Sequence, residues 1–221
     1  MKAVVFLGER ELELMERPDP TPGLDEVILE IRASGMCGTD LHQYRGPRRR
    51  PDQLVIAGHE PCGVIVEVGA AVLPQQAKIG DRVVVHHYDG CRVCHSCRSG
   101  WTQICGSEHK RTFGGLDADG AHARYMKVPA HTVIKMPDDL SFKAGAAAAC
   151  GTGTAFGALK RLNLMGDETL GIFGLGPVGL SGTLLAKAMG ARVIALDVSP
   201  ERLEMARRFG ADVLIDPTKD D

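Results

Sequence analysis

The sequence predicts an α/β chain in two parts: an antiparallel, barrel-like β domain followed by half of a doubly wound parallel sheet. Three observations predict it. Short β-branched or alternating runs broken by Gly and Pro fill residues 1 to about 140. Small residues at helical spacing take over from about 141. Strand and helix patterns then alternate from 169 to 216, and the first strand-to-helix junction carries G-x-G-x-x-G.

Taken in order, "KAVVFL", "EVILEIRASG", "CGVIVEVG", "DRVVVHH" and "HARYMKV" read as strands, each bounded by turn residues. "SFKAGAAAAC" and "GTAFGALKRLNL" read as two successive helices or as one broken at Gly151. After them, "TLGIFG" is a strand and "PVGLSGTLLAKAMG" a helix closed by Gly190. "RVIALD" is a second strand, "PERLEMARRFG" a helix closed by Gly210, and "DVLID" a third strand. Alternation of this kind makes βαβαβ, one half of a doubly wound sheet. The domains are expected at 1–148 and 149–221.

Bulk properties exclude several classes of function. Among 221 residues, Lys plus Arg is 26 and Asp plus Glu is 28, a net charge of -2, so no field gathers nucleic acid or anionic lipid. "RRR" at 48–50, between Pro47 and Pro51, is the one basic cluster, and reads as a solvated loop or as an anion or substrate contact. The opening "MKAVVFLGER" is too short in apolar residues for a signal peptide, and no later run approaches the ~20 that span a bilayer. A soluble cytoplasmic protein is expected. In that reducing compartment the seven cysteines point to metal ligands or reactive thiols rather than disulfides.

Four of those cysteines lie in "CRVCHSCRSGWTQIC". Cys91, Cys94, Cys97 and Cys105 follow C-x2-C-x2-C-x7-C, the spacing of a tetrahedral zinc site whose four positions are all protein sulfur. Such a site is structural, since no position is left for a substrate. It occupies a lobe at about 88–110, in which Trp101 is read as packing.

The nucleotide signal is Gly174, Gly176 and Gly179, after a strand and opening a helix, with Asp197 at the end of the next strand. Gly174 makes the tight turn, Gly176 lets the backbone approach a pyrophosphate, and Gly179 lets helix and strand pack closely. Pro177 and Val178 complete the cofactor-binding segment at a helix N-terminus, where unpaired N–H groups and the dipole favour an anion. Asp197 accepts ribose hydroxyls and would repel a 2′-phosphate, so NAD is expected over NADP.

Three further segments, "GMCGTDLH", "GHE" and "ACGTGTAFG", persuade little singly. In this order, with the four-cysteine lobe and the glycine fingerprint, the chain resembles the zinc-dependent medium-chain dehydrogenase/reductase family, alcohol dehydrogenase type. The resemblance implies a GroES-like catalytic domain followed by a partial Rossmann domain. It implies a catalytic zinc on Cys37, His59 and Cys150, the fourth position open for substrate, with Glu60 behind the metal and able to enter its coordination sphere. Asp40 is then the carboxylate that orients His59. Thr39 contacts the substrate oxygen, and His42 ends a proton relay, for which its near-neutral pKa suits it. Arg202 is either a cation near the adenosine ribose or a helix-surface residue.

The expected reaction is reversible oxidation of an alcohol to an aldehyde or ketone by hydride transfer to NAD, with two zinc ions per chain. The substrate is a small-molecule alcohol, no nucleic acid or membrane partner is expected, and the full-length enzyme is expected as a homodimer or homotetramer. "ADVLIDPTKDD" closes the third strand of an order that in a full domain runs 3-2-1-4-5-6. A fragment of a longer dehydrogenase, poorly active alone, is therefore expected. The alternative is a catalytically incompetent zinc-binding fragment or binding module of the same fold. Cys62 is read as core, His86 and His87 as near either the active-site mouth or the lobe, and His95, His109, His122 and His131 have no motif support.

Overall fold

The computed structural model describes residues 1–115 and 117–219, and the chain divides into two units, Met1–Ala149 and Cys150–Asp221. The first unit opens with a hairpin, β1 (Lys2–Gly8) and β2 (Glu11–Glu16). Its turn residues Glu9 and Arg10 both have positive φ, the geometry that matches strand twist in a two-residue loop. Nothing in "ELELME" foretells β2, because its Leu12 and Leu14 alternate with Glu yet face outward.

β3 (Glu26–Gly35) is followed by α1 (Gly38–Arg45), β4 (Glu60–Val68) and β5 (Arg82–Val85). The lobe comprises β6 (Tyr88–Asp89), α2 (His95–Arg98) and β7 (Arg111–Thr112), and β8 (Tyr125–Pro129), β9 (Val133–Lys135) and α3 (Phe142–Ala147) complete the unit. β3, β4, β5, β8 and β9 form one antiparallel sheet in the order β8-β3-β4-β5-β9. Period-2 alternation turns Val27 and Leu29 of β3, Ile65 of β4, Val83 and Val85 of β5 and Met126 and Val128 of β8 into one buried cluster. Each such aliphatic side chain contributes about 1.5–3 kcal/mol by leaving water.

The register of this sheet positions everything that follows. Gly35 pairs with Glu60, so the end of β3 lies beside the start of β4. Cys62 pairs with Val84, so β5 ends beside the start of β4 as well. β5 stops at Val85, two residues short of the strand expected through "HH". The His86 N–H bonds the Thr132 carbonyl and the His87 carbonyl accepts from Phe113 N–H, so the chain leaves β4 there. "HARYMKV" likewise starts its strand at Tyr125, while Ala123 bridges Ala3 of β1.

In the second unit, α4 (Gly153–Leu162) ends at Asn163 in the left-handed conformation. β10 (Thr169–Phe173), α5 (Pro177–Ala188), β11 (Arg192–Leu196), α6 (Pro200–Arg208) and β12 (Val213–Ile215) follow. The three strands are parallel in the order β10-β11-β12, as βαβ crossovers require. Small residues at Ala186, Ala191, Ala195 and Ala206 let α5 and α6 sit close on the sheet beside Val193 and Leu175. Between α3 and α4 there is no break at Gly151; Ala148–Thr152 is a π-helical turn. Among the described residues, no helix is long and apolar enough to cross a membrane.

Carboxylates knit the second unit together. Asp212 accepts from Val193 N–H and from Lys187, and Asp216 from Lys219 and Thr218. These bonds hold Asp216 at a pKa of about 2 and Asp212 below its ordinary value. A depressed folded-state pKa contributes stability that is complete above the unfolded value near 4 and is lost as pH falls through the folded one. The expected outcome is a urea midpoint that holds from pH 7 to about 5 and falls steeply between about pH 4 and 2. A midpoint unchanged to pH 2 would contradict the account.

A candidate metal centre and nucleotide loop

Cys37 stands two residues past the end of β3 and His59 one before the start of β4, so the Gly35–Glu60 pairing brings them together. Cys37 Sγ lies 3.0 Å from His59 Nε2, and Glu60 adds a carboxylate oxygen within 4.8 Å of both. A Cβ at Gly35 would fall 1.8 Å from Glu60 Oε2, so glycine leaves the room that this carboxylate occupies. Gly58, at φ +92°, turns the chain into His59; a side chain there would meet His122 Nδ1 at 2.5 Å.

Cys37 is also the N-cap of α1. Its Sγ accepts from Thr39 N–H at 3.3 Å, and Asp40 Oδ2 accepts from Cys37 N–H at 2.8 Å, a capping box with sulfur in the hydroxyl's place. Asp40 is fully buried with Oδ1 3.4 Å from His59 Nδ1. Burial opposes its ionisation, but the His59 contact and the Cys37 N–H outweigh that and hold its pKa below the ordinary value. Nδ1 of His59 is thus committed to Asp40 and Nε2 faces Cys37, an orientation suited to metal binding. Thr39 and His42 are exposed on α1, three residues apart and hence on one face.

Cys150, the first residue of the second unit, lies within the Ala148–Thr152 turn. The preceding residue, Ala149, offers its backbone to His87. His87 is the residue that sequence reading leaves undecided: it is buried and its ring stands 5.1 Å from that of His59, at 71°. Burial, with His59 and His86 close by, pushes its pKa down to about 3, so it adds no charge beside the site. The only signal in the sequence is a His pair at a strand end. His86 turns the other way, and with His131, Arg92, Thr102 and Cys97 lines a cavity of about 160 Å³ against the lobe. Cys62, buried with its sulfur 3.0 Å from Met136 Sδ, is core, and burial raises its pKa to about 11.

In the lobe the sulfurs of Cys91, Cys94, Cys97 and Cys105 all lie within 4.8 Å of one another. Cys94 and Cys105 are 3.9 Å apart, the spread that four metal–sulfur bonds of about 2.3 Å in a tetrahedron produce. Backbone N–H groups of Cys94 and Cys91 point at the sulfurs of Cys91 and Cys105. A Cβ at Gly90 would collide with Cys97 Sγ at 2.6 Å. Asp89 ties the lobe down, accepting from Arg111 at 2.8 Å and pairing with His131 at 3.0 Å, which gives His131 a structural place that no motif announced. Trp101 is half-buried in the lobe. The donor sets at both places therefore fit zinc.

In the second unit Gly174, at φ +86°, turns β10 into α5, and Gly176 caps the helix with Pro177 and Val178 in its first turn. A Cβ at Gly179 would strike the Gly174 carbonyl at 1.9 Å, whereas at Gly176 it would meet nothing within 4 Å. Packing thus demands glycine at 179, and open space at the helix N-terminus fits a pyrophosphate at 176. Asp197 follows β11; Oδ2 accepts from Leu175 N–H at 2.7 Å and Oδ1 from Ser199 N–H at 2.9 Å. Those bonds keep it ionised and pointed across the glycine loop. Arg202 Nη1 lies 3.6 Å from it on the exposed side of α6.

Comparison with known proteins agrees with this geometry. Residues 23–138 match the family model of the alcohol dehydrogenase GroES-like domain, and residues 177–221 that of zinc-binding dehydrogenase. The zinc-type alcohol dehydrogenase-like protein YphC of Escherichia coli K12 is 40% identical over 95% of this chain and 61% of its own length. An alcohol dehydrogenase of Geobacillus stearothermophilus is 38% identical over 99% of this chain and 64% of its own. The structure of acetophenone reductase from Geotrichum candidum, in complex with NAD, superposes with a TM-score of 0.87 at 34% identity, over 100% of this chain and 64% of that one. The chain thus spans under two thirds of the length of each of these proteins. With the model match covering more than half of the chain and the ligand-bearing segments in its order, this protein belongs to the zinc-dependent medium-chain dehydrogenase/reductase family, alcohol dehydrogenase type.

Proposed function

We propose that the whole enzyme to which this chain belongs is an NAD-linked alcohol dehydrogenase with one catalytic and one structural zinc per chain. The observation that carries the reading is the meeting of Cys37 and His59, with Asp40 behind His59, at the paired ends of β3 and β4. Cys37, His59 and Cys150 are assigned to the catalytic zinc with Glu60 beside it, and the four lobe cysteines to the structural zinc. Domains of 1–148 and 149–221 carry these parts.

Bound there, zinc would supply Lewis acidity toward an alcohol oxygen and NAD would supply the acceptor for the carbinol hydride. Asp40, with Oδ1 3.4 Å from His59 Nδ1, orients the imidazole so that Nε2 faces Cys37. Thr39 Oγ1 takes the hydrogen bond from the substrate hydroxyl. One turn along the same face of α1, the exposed His42 imidazole passes the proton to water. Neutral His87 closes the site on the His59 side and leaves the charge balance to the ligands. The glycine loop from Gly174 to Gly179, with Pro177 and Val178, holds the pyrophosphate, and Asp197 accepts the ribose hydroxyls. Arg202, held 3.6 Å from Asp197, sits at the adenosine end.

Three outcomes are expected. Metal analysis of the zinc-loaded protein finds two zinc ions per chain; a single tightly held zinc would favour a zinc-stabilised binding module instead. Cys94→Ser lowers the melting temperature and removes one zinc, whereas Cys37→Ser in the full-length enzyme reduces kcat by at least about 10³-fold with the melting temperature nearly kept. NAD is preferred to NADP by on the order of 10²-fold in kcat/KM, since like charges brought together cost several kcal/mol, and Asp197→Ala narrows that ratio. Preference for NADP in the unmodified enzyme would remove the role given to Asp197.

A further inference from the structure

The three arginines at 48–50 are not equivalent. Arg48 pairs with Glu11 across to β2, and Arg50 pairs with Asp52 at 3.2 Å. Arg49 lies between them, half-buried, and no carboxylate of the described residues stands within 4 Å of it. Its side chain makes one hydrogen bond, from Nη1 to the Gly115 carbonyl at 3.4 Å. A guanidinium carries five N–H donors and stays charged in any protein, so most of its capacity is unspent. Burial already lowers its pKa, the mark of a cation partly stripped of water. The Arg49 backbone is fixed as well, its N–H bonded to the Leu7 carbonyl.

The place of Arg49 ties it to the metal centre. The loop from 46 to 57 joins α1, which begins at Cys37, to Gly58 and His59. Gly115 follows Gly114, and Gly114 packs directly on the strand entry: a Cβ there would lie 1.9 Å from the Gly58 carbonyl and 2.9 Å from His59 N. The guanidinium is therefore bonded to the residue next to the one that packs on the segment bearing His59. Arg45, exposed at the end of α1, adds a second charge to the same loop with no carboxylate partner among the described residues.

We propose that Arg49 is a specificity residue that binds an anionic group on the substrate, so that this dehydrogenase takes alcohols bearing a carboxylate or a phosphate in preference to neutral ones. The inference rests on the dehydrogenase reading and narrows its substrate class. A carboxylate or phosphate accepts two parallel N–H bonds from one guanidinium, and such charge-assisted pairs are the strong ones. The Gly115 carbonyl fixes one edge of the fork and leaves the other donors for the ligand.

The test uses the zinc-loaded full-length enzyme with NAD and a panel of hydroxy acids, sugar phosphates and neutral alcohols of matched carbon chain. Arg49→Gln keeps a donor for Gly115 but loses the charge; Arg49→Lys keeps the charge but not the fork; Arg48→Ala serves as the control. The expected result is kcat/KM at least about tenfold higher for one anionic series than for its neutral analogue, with that ratio collapsing about 10- to 100-fold in Arg49→Gln, chiefly through KM. Arg49→Lys recovers part of the ratio, and Arg48→Ala leaves it in place. Which anionic series shows the effect separates carboxylate from phosphate. Equal efficiency on neutral alcohols, or an Arg49→Gln loss shared equally by both series, overturns the proposal and assigns Arg49 to holding its loop. NADH formation from no alcohol at all would sink the dehydrogenase reading itself. Calorimetric titration with inorganic phosphate then decides Arg49 separately: binding lost in Arg49→Gln sustains an anion site, and identical heats in both proteins remove it.

Discussion

The candidate metal centre depends on how one pair of strands is aligned at its end. β3 and β4 run antiparallel with Gly35 opposite Glu60, and this single pairing converts a 22-residue separation between Cys37 and His59 into a 3.0 Å contact. The apolar set around Leu29 and Ile65 fixes the pairing there, because a one-residue slip would turn its inward side chains outward, and a register shift between Ile31 and Ala33 then brings Gly35 opposite Glu60. The hydrophobic core and the ligand geometry are thus the same constraint. Gly35 shows how closely they are joined, since its missing side chain is the space in which the Glu60 carboxylate lies.

Around that pairing, hydrogen bonds and one close charged contact order the candidate ligands. Cys37 caps a helix with its sulfur, and Asp40 returns the bond to the Cys37 N–H while its other oxygen orients His59. Two carboxylate oxygens therefore order both ligands from a position without solvent contact. Asp197 solves a parallel problem in the second unit. It ties Leu175 of the glycine loop to Ser199 at the start of α6, so that the loop keeps its shape through backbone bonds to a charged group. In both units a buried carboxylate accepts backbone N–H bonds, Asp40 from Cys37 and Asp197 from Leu175 and Ser199.

The lobe and the catalytic centre illustrate opposite uses of cysteine. Four sulfurs gathered within a short loop, with N–H groups aimed at them and Asp89 anchoring the base, form a closed site with no vacancy for chemistry. Cys37 and His59 are instead brought together from different strand ends. The loop between them carries Arg49, whose two neighbours are ion-paired while it has no carboxylate partner among the described residues.

Much of this architecture is legible in the order of the residues. Period-2 runs mark β3, β4 and β5, small-residue helices and glycines mark the parallel half, and the C-x2-C-x2-C spacing marks the lobe, because these signals depend only on neighbours along the chain. What cannot be read there depends on neighbours in space. β2 hides because its leucines face outward, His87 because only the end of β5 beside β4 brings its ring to His59, and the π-helical turn at Ala148–Thr152 because helical spacing does not distinguish it from a break at Gly151. The arginine triplet is the plainest case: three identical residues in sequence become two ion-paired surface residues and one half-buried cation only when Glu11, Asp52 and Gly115 arrive from elsewhere. By itself the sequence determined which chemistry was available and in what order. The tertiary structure decided which side chains share it, because charge, burial and ligand distance are set by residues far apart in the chain.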